Sequence, residues 1–321
     1  MKPMSVVIQQ AIQCVLSLFF LVMVGFVLAR RGWFSPETKA MLPRLVTVVT
    51  LPPYLFLNIV KTFDSDQLHL LFSGSLIPAL SMLLTFGLSN LAARLMKVRR
   101  ERVGLMTVGA TTSNTIFIGI PVNISLFGEE ALPFVLLYFF ANTTFFWTVG
   151  NYCLSLGGER APEKILSPAT FKRLFSPPLL GFAAGVLMVM AGFTPPPFLA
   201  DALGYLGSLT TPLAILFIGI TLAGVSLKNL RPDRDVAAVL LGRFVLSPLT
   251  IIILVSLFPL PPLMAKVFII QASLPVVSSA VLLAGYYRSD PEYASVVVSL
   301  STVMSLLTIP LFMAVISALN F

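Results

Sequence analysis

Polar side chains and a helix-breaking proline share one uncharged segment of the chain. Residues 103–128 carry no charge, and about 20 apolar residues are enough to span a bilayer as a helix. Proline lacks a backbone donor and costs a helix interior about 3 kcal/mol, and peptide groups freed inside a bilayer need partners from protein or trapped water. We therefore predict a helix broken at Pro121, where open peptide groups and neutral side chains form a binding site. The candidate site residues of this segment are Thr112, Ser113, Asn114, Gly119, Pro121 and Asn123.

A second segment, residues 267–287, repeats this combination of residues around a proline. Its candidate site residues are Gln271, Ser273, Pro275, Ser278 and Ser279. Where a helix is interrupted, the N-terminus of the following half carries a partial positive charge and open N–H groups, which suit an anion. Unwound carbonyl groups at the other ends favour a cation. We predict that the two segments cross inside the bilayer and bind a small organic anion; the alternative is that these side chains only bond neighbouring helices or their own backbone.

The rest of the chain has the composition of a multipass membrane protein. Hydrophobic residues make up 57% of it and charged residues 11%, whereas soluble domains contain about 25% charged residues. The apolar runs lack the alternation of a β-barrel, so we predict an all-α membrane protein with ten transmembrane helices. The charge-free runs lie at 3–29, 103–128, 131–158, 174–200, 202–227, 244–265, 267–287 and 293–321, and two less clean spans lie at about 40–60 and 68–93.

Lysine and arginine residues are distributed unequally between the loops. All of the 21 except Lys2, Lys61 and Lys266 fall on odd-numbered loops, and cytoplasmic loops are the ones enriched in these residues. This distribution places Arg234 and Arg243 in the loop before the eighth span. It predicts a protein of the cell inner (plasma) membrane with both termini outside the cytoplasm. The net charge of +8 then reflects topology and contact with anionic membrane lipids, and we expect no nucleic-acid partner.

A polar stretch near the middle divides the predicted spans into two groups of five. Residues 157–173 read GGERAPEKILSPATFKR. An odd number of spans per half gives the two halves opposite orientations, as in the inverted repeats of many secondary transporters. We predict a first five-helix repeat over residues 1–157, a cytoplasmic linker over 158–173 and a second, inverted repeat over 174–321. We predict that helices 4 and 9 are the broken helices and that they cross.

The residue types that enzymes and metal sites need are scarce. The sequence holds one histidine, His69, and two cysteines, Cys14 and Cys153, so we expect no catalytic residue, no set of metal ligands and no cofactor. The 13 acidic residues fall at span ends or in loops, which argues against a relay of protons through buried carboxylates. Coupling to Na⁺ would have to use hydroxyl, amide and carbonyl oxygens, and it stays open.

Six short motifs are spread over nearly the whole chain. They are NTIFIGIP at 114–121, LFGEEAL at 126–132, QASLP at 271–275, LAGYY at 283–287, TIPL at 308–311 and the dipeptide Leu51-Pro52. In these motifs the chain resembles the auxin efflux carrier family, and within it the bacterial branch of small-carboxylate transporters, which is similar to carriers of malate and malonate. The spacing from Asn114 to Pro121, together with the Leu-Pro of the ninth span, is the most specific part of the resemblance.

The resemblance implies that spans 1, 2, 6 and 7 form a scaffold and a homodimer. It also implies that spans 3–5 and 8–10 form a transport domain that moves like an elevator, with Asn114 at the anionic substrate and with Leu51 and Pro52 lining the same cavity. Two features depart from the family pattern. The long cytoplasmic loop of the plant exporters is replaced by the 157–173 stretch, and residues 276–279 read VVSS where bacterial relatives often carry an amide, which leaves the identity of the substrate open.

Three functions are consistent with these features. The first is a secondary transporter of the efflux-carrier type that exports a small organic anion, such as a mono- or dicarboxylate. The second is a sodium-coupled organic-anion symporter of the bile-acid type, although such proteins place acidic sodium ligands near the crossing and this chain lacks them there. The third is a membrane-embedded sensor or structural partner that keeps the fold without transport.

Overall fold

The computed structural model describes residues 4–64, 74, 76–160, 164–165, 167–168, 170, 175–224 and 233–319, with side chains from residue 16 onward apart from Leu18. His69 and half of the linker predicted at 158–173 lie outside the described residues. The described part of the chain is all-helical, and it contains a single isolated antiparallel bridge. Its helices are α1 (Met4–Arg30), α2 (Pro36–Thr62), α3 (Leu76–Leu95), α4 (Arg100–Thr111), α5 (Thr115–Phe127), α6 (Glu129–Leu156), α7 (Pro177–Met190), α8 (Pro197–Ala223), α9 (Arg234–Leu257), α10 (Pro262–Ala272), α11 (Ser279–Tyr287) and α12 (Pro291–Ala318).

Six of the described helices are long and apolar enough to cross a membrane. They are α2, α3, α6, α8, α9 and α12, with 20 to 28 residues each. The all-α class predicted from composition is confirmed for the described residues. One predicted boundary is wrong: Asp201 separates two charge-free runs but lies inside α8. Helix α7 ends at Met190, before Asp201, because Gly192 has a positive φ of 68°. Residues 195–197 are three prolines, and the next helix begins at the last of them, Pro197.

Wide, π-helical turns adjust several described helices around prolines. Three of these turns end two residues before a proline. Because proline cannot donate an N–H and its ring clashes with the carbonyl four residues earlier, a wider turn that moves this carbonyl relieves the conflict without ending the helix. The three turns are Val46–Thr50 before Pro52, Thr115–Gly119 before Pro121 and Gly242–Leu246 before Pro248; a fourth spans Phe146–Gly150.

Helices α1, α2, α7 and α8 pack against one another at glycines. A β-carbon at Gly25 would overlap the backbone of α8, and one at Gly219 would overlap the Val22 carbonyl oxygen. A β-carbon at Gly181 of α7 would likewise overlap the Pro52 carbonyl oxygen of α2. Small residues let helix backbones approach closely where no water drives association. These four helices form one packed group, which we call the glycine-packed group.

The other long helices share buried polar contacts. Thr250 on α9 lies 2.9 Å from the hydroxyl oxygens of both Ser81 and Thr85 on α3. Thr250 in turn donates to the Ser247 carbonyl oxygen over 2.8 Å. Hydroxyl bonds of this kind join neighbouring helices inside a membrane, so α3 and α9 are fixed to one another along their buried faces.

Arg102 joins the starts of three helices. Its Nε donates to Asp290 Oδ2 over 2.7 Å, and its Nη1 donates to Asp233 Oδ2. The two aspartates are the N-caps of α12 and α9. Burial works against the charged form of Asp233, but the Val236 N–H and the Arg102 guanidinium outweigh it and hold the pKa of this carboxyl below its ordinary value. The ends of α4, α9 and α12 are therefore held together by charge.

Candidate functional site

The two candidate segments meet at their non-helical residues. Residues 112–114 separate α4 from α5, and residues 273–278 separate α10 from α11; we call these two stretches the crossing. The Asn114 N–H donates to the Pro275 carbonyl oxygen over 2.9 Å, which ties one stretch directly to the other. Four helix ends consequently come together at one place, the C-termini of α4 and α10 and the N-termini of α5 and α11.

In the first segment the non-helical residues precede the proline. The prediction placed the break at Pro121, but Pro121 lies in α5 beyond the wide turn Thr115–Gly119, and the non-helical residues are 112–114. Pro121 is the seventh residue of α5. The helix continues through it because the wide turn before it moves the carbonyl that the proline ring would otherwise meet. In the second segment Pro275 itself lies in the non-helical stretch.

Neighbouring helices hold both stretches of the crossing by their peptide groups. Asn142 on α6 accepts from the Ser113 N–H over 2.9 Å and donates to the Ser113 carbonyl oxygen over 3.0 Å. Ser301 on α12 accepts from the Val276 N–H over 3.1 Å, and Ser113 and Val276 form the isolated antiparallel bridge. Sequence reasoning missed Asn142 and Ser301, because a lone polar residue in an apolar run gives no distinguishing signal.

A cavity of about 330 Å³ lies beside the crossing, at the N-terminal ends of α5 and α11. Its wall combines neutral hydrogen-bonding groups with an apolar surface. The polar residues next to the helix starts are Ser113, Asn114, Thr115, Ser278 and Ser279, and the aromatic residues of the wall are Phe117, Phe139, Phe146 and Trp147. All of these polar residues except Thr115 were predicted. The aromatic residues were not predicted, since aromatic residues in a membrane helix more often face lipid or the protein core.

Asn114 connects the two helix starts that face the cavity. Its Oδ1 accepts from the Phe117 N–H over 3.3 Å and so caps α5, while its Nδ2 donates to Ser278 Oγ over 3.0 Å. Helix N-termini carry partial positive charge. None of the described residues that line the cavity is charged. The helix starts and the neutral donors are therefore the groups in the described wall that can attract an anion.

The C-terminus of α10 also lies at the crossing, and a helix C-terminus carries a partial negative charge, in contrast to the helix starts. Arg243, which the sequence analysis counted as a loop residue, is fully buried inside α9. Its Nη2 donates to two acceptors, the carbonyl oxygen of Ala272 and Ser247 Oγ. Ala272 is the last residue of α10. The loop assignment is wrong because it treated every arginine between two apolar runs as exposed. A guanidinium is thus bound to the carbonyl end of a helix at the crossing.

The structure brings some predicted site residues to the cavity and leaves others away from it. The predicted residues that line the cavity are Ser113, Asn114, Ser278 and Ser279. Thr112 is absent from the wall, because its Oγ1 donates to the Val108 carbonyl oxygen over 2.8 Å. Leu51 and Pro52 are also absent from the wall, and Thr47 is the residue that α2 contributes to it.

The remaining predicted residues pack behind the crossing. Asn123 donates to the Gly119 carbonyl oxygen over 2.8 Å, and Ser273 Oγ donates to a carbonyl of α10 over 2.8 Å. Gln271 is fully buried against Gly119, where an added β-carbon would lie 2.5 Å from its Oε1. Its amide has no hydrogen-bond partner in the described part of the chain. Pro121 lines a separate apolar cavity of about 50 Å³. These residues shape the crossing rather than the cavity wall.

Comparison with known proteins gives matches over almost the entire chain. A family model described as membrane transport protein matches residues 10–313. An uncharacterized transporter of Methanothermobacter thermautotrophicus is 29% identical over 94% of this chain and 97% of its own length. An uncharacterized transporter of Methanocaldococcus jannaschii is 27% identical over 93% of this chain and 96% of its own. A protein of Rhizobium meliloti that carries the provisional name of malonate transporter is 24% identical over 92% of both chains.

Proposed function

The chain belongs to the membrane transport protein family, and from this premise we propose that it is a secondary transporter of a small organic anion, such as a mono- or dicarboxylate. The observation that carries the proposal is that two helix starts, joined by Asn114, meet at one cavity with no charged residue in its described wall. Backbone N–H groups and neutral side-chain donors at helix starts can replace the water around a carboxylate. The relative with the provisional name of malonate transporter supports the same class of substrate.

In this proposal the helices form ten spans in two inverted repeats of five. Helices α4 and α5 together are the broken fourth span, and α10 and α11 are the broken ninth span. The matching contacts on the two sides support the repeat. In each half, the long helix that follows the broken span supplies one polar side chain to the crossing, Asn142 on α6 and Ser301 on α12.

We propose that transport follows an elevator-like movement of one group of helices against the other. The glycine-packed group (α1, α2, α7 and α8) is the scaffold, through which a homodimer would form, and α3 to α6 with α9 to α12 are the transport domain. Two contacts support movement as one body. The crossing is bonded to α6 and α12, and Arg102 ties α4 to the N-caps of α9 and α12. A substrate held at the crossing would travel with it.

The position of the cavity supports access from the cytoplasm. Its wall includes Ser176, Pro177 and Pro178 at the start of α7, and this helix follows the linker that the charge distribution assigns to the cytoplasm. A carrier in this state would load its substrate from inside the cell. We therefore propose export across the inner membrane, with both termini outside the cytoplasm.

The test of this proposal measures binding and exchange of carboxylates by the purified protein. Labelled malonate and a panel of monocarboxylates are added to proteoliposomes, and thermal unfolding is followed with each compound, because a ligand of the folded state raises the melting temperature. We expect Asn114→Ala to weaken binding about tenfold or more, since a hydrogen bond to a charged group contributes about 1.5–3 kcal/mol. Asn114→Asp, which places a negative charge at the helix starts, should abolish binding.

Asn90→Ala is the matched control, because Asn90 is partly buried on α3 and its Nδ2 donates to the Phe86 carbonyl oxygen of its own helix over 3.3 Å. It should bind and transport like the parent protein. An Asn114→Ala variant with the parent affinity would show that the cavity beside the crossing does not bind the substrate.

A further inference from the structure

Arg243 is buried deep in the part of the molecule that spans the membrane. It lies nine residues after Arg234, the first residue of α9, which at 1.5 Å per residue corresponds to about 13 Å along the helix axis. Its side chain has no exposed surface. An ionisable side chain at such a depth is costly to bury, and where one is found it usually has a role in the path of a substrate or an ion.

The contacts of Arg243 explain what its charge does. The last carbonyls of a helix have no intrahelical donor and carry a partial negative charge. Nη2 of Arg243 donates to the carbonyl oxygen of Ala272, the last residue of α10, and Ser247 Oγ donates to the same oxygen over 3.2 Å. The carbonyl end of α10 therefore has both a full positive charge and a hydroxyl donor.

Arg243 has no acidic partner among the described residues. The ion pairs found there use other arginines, at positions 99, 102, 234 and 288. Among the described residues, two of its nitrogens, Nε and Nη1, have no hydrogen-bond acceptor, and its neighbour Tyr138 brings a phenol group rather than a carboxylate. The positive charge of Arg243 is thus balanced by the dipole of α10 rather than by a carboxylate. The carbonyl end of an interrupted membrane helix is also the kind of site that binds a metal cation in other proteins.

We propose that Arg243 is a built-in cation that occupies the place of a monovalent metal ion at the carbonyl end of the second broken helix. This inference rests on the proposed function in one respect: it makes carboxylate binding at the cavity independent of Na⁺. While Arg243 is present, the Ala272 carbonyl oxygen is already bound and a second cation would meet a like charge at close range. Removal of the guanidinium leaves that carbonyl end open, and Na⁺ or Li⁺ can then bind there.

The experiment compares Arg243→Gln with the parent protein in two salts and without carboxylate. Thermal unfolding is followed in N-methyl-D-glucamine chloride and in NaCl at equal ionic strength, so that screening is the same in both. The parent protein should melt at the same temperature in both salts. Arg243→Gln should melt at a lower temperature in the organic cation and be stabilised by Na⁺ in a saturable way. At a sodium concentration about ten times the dissociation constant, its unfolding equilibrium constant should fall about tenfold.

Two further variants make the result specific. Arg234→Gln is the matched control, because Arg234 is on the same helix but its side chain is 72% exposed, and it should respond to the two salts like the parent. Arg243→Lys keeps the charge and should show no specific response to Na⁺. If Arg243→Gln cannot be purified in either salt, Arg243→Lys decides: a folded, cation-insensitive lysine variant supports the built-in cation, and failure of this variant to fold as well assigns the residue to packing and overturns the proposal.

Two other results would also overturn the proposal. One is stabilisation of the parent protein by Na⁺ to the same extent as Arg243→Gln. The other is a folded Arg243→Gln variant that does not distinguish the two salts. Because these measurements contain no carboxylate, a failure of the parent protein to bind any carboxylate would refute the proposed function and leave the melting results for Arg243 standing.

Discussion

Asn142→Ala is the change that most directly tests how the crossing is held. The Asn142 side chain makes two buried hydrogen bonds to the peptide groups of Ser113. Alanine leaves that N–H and that carbonyl without partners, and each unsatisfied buried group costs about 1–3 kcal/mol. The sum of about 2–6 kcal/mol is an upper range, because the backbone can relax, but it is a large part of a total stability of about 5–15 kcal/mol.

The assay for Asn142→Ala is thermal unfolding of the purified protein, followed by titration with malonate and monocarboxylates. Asn142 also lines the cavity, so we expect both a lower melting temperature and weaker binding. Asn142→Asp separates the two effects, because it keeps an acceptor for the Ser113 N–H but adds a negative charge to the cavity wall. Compared with Asn142→Ala, this variant should have a higher melting temperature but a weaker affinity for carboxylates.

Asn90→Ala again serves as the control for an asparagine removed from a membrane helix. Its free energy of unfolding should lie within about 0.5 kcal/mol of that of the parent, as expected for a change away from buried networks. If Asn142→Ala melted like Asn90→Ala, the peptide groups of Ser113 would have other partners, and the inference that α6 carries the crossing with it would be refuted.

Two further predictions concern the packing of the helices and the charges at their ends. Gly219→Ala should destabilise the protein by about 1–3 kcal/mol, because the added methyl group would overlap the Val22 carbonyl oxygen. At Gly87 no described atom lies within 4 Å of the added carbon, so Gly87→Ala should be neutral or stabilising. Equal melting temperatures of the two variants would contradict the glycine-packed group. Asp233→Asn removes the charge that faces Arg102 while keeping a capping side chain. Since the folded-state pKa of Asp233 lies below its ordinary value of 3.8, its contribution is present above pH 3.8 and is lost as the pH falls through the lowered pKa. The melting deficit of Asp233→Asn should therefore be present near neutral pH and vanish in strong acid, and a deficit that is unchanged in acid would show that charge is not its cause.

Parts of the site could be predicted from the sequence because they follow from local chemistry. A hydroxyl and amide cluster next to Pro121, and a second around Pro275, predict interrupted helices in a bilayer. Four of the side chains that line the cavity, those of Ser113, Asn114, Ser278 and Ser279, came from those two clusters. The break was predicted at Pro121, but the non-helical residues are 112–114, because the wide turn Thr115–Gly119 lets the helix continue through the proline.

Other parts of the site depend on contacts between distant segments, and no local pattern reveals them. Asn142 is one polar residue in a long apolar run, and its importance comes from Ser113 lying opposite it in the fold. Arg243 stands between apolar residues near a span boundary, where the distribution of positive charge gives the same weight to a buried arginine as to one in a loop. The sequence identified which residue types were available, and the tertiary packing decided which of them meet.

The hydrogen bond from Asn114 to Pro275 has a consequence for how the protein is made. At about 5–20 residues per second, the second of these residues leaves the ribosome roughly 10–30 s after the first. During that time α6 can already supply Asn142 to Ser113, but the acceptor of the Asn114 N–H, the Pro275 carbonyl oxygen, has not yet been made. A nascent first half is therefore inserted before its fold can be completed, and a chain that terminates before α10 should be recognised by membrane quality-control proteases. Synthesis of the two halves as separate polypeptides in one cell should restore the missing bond.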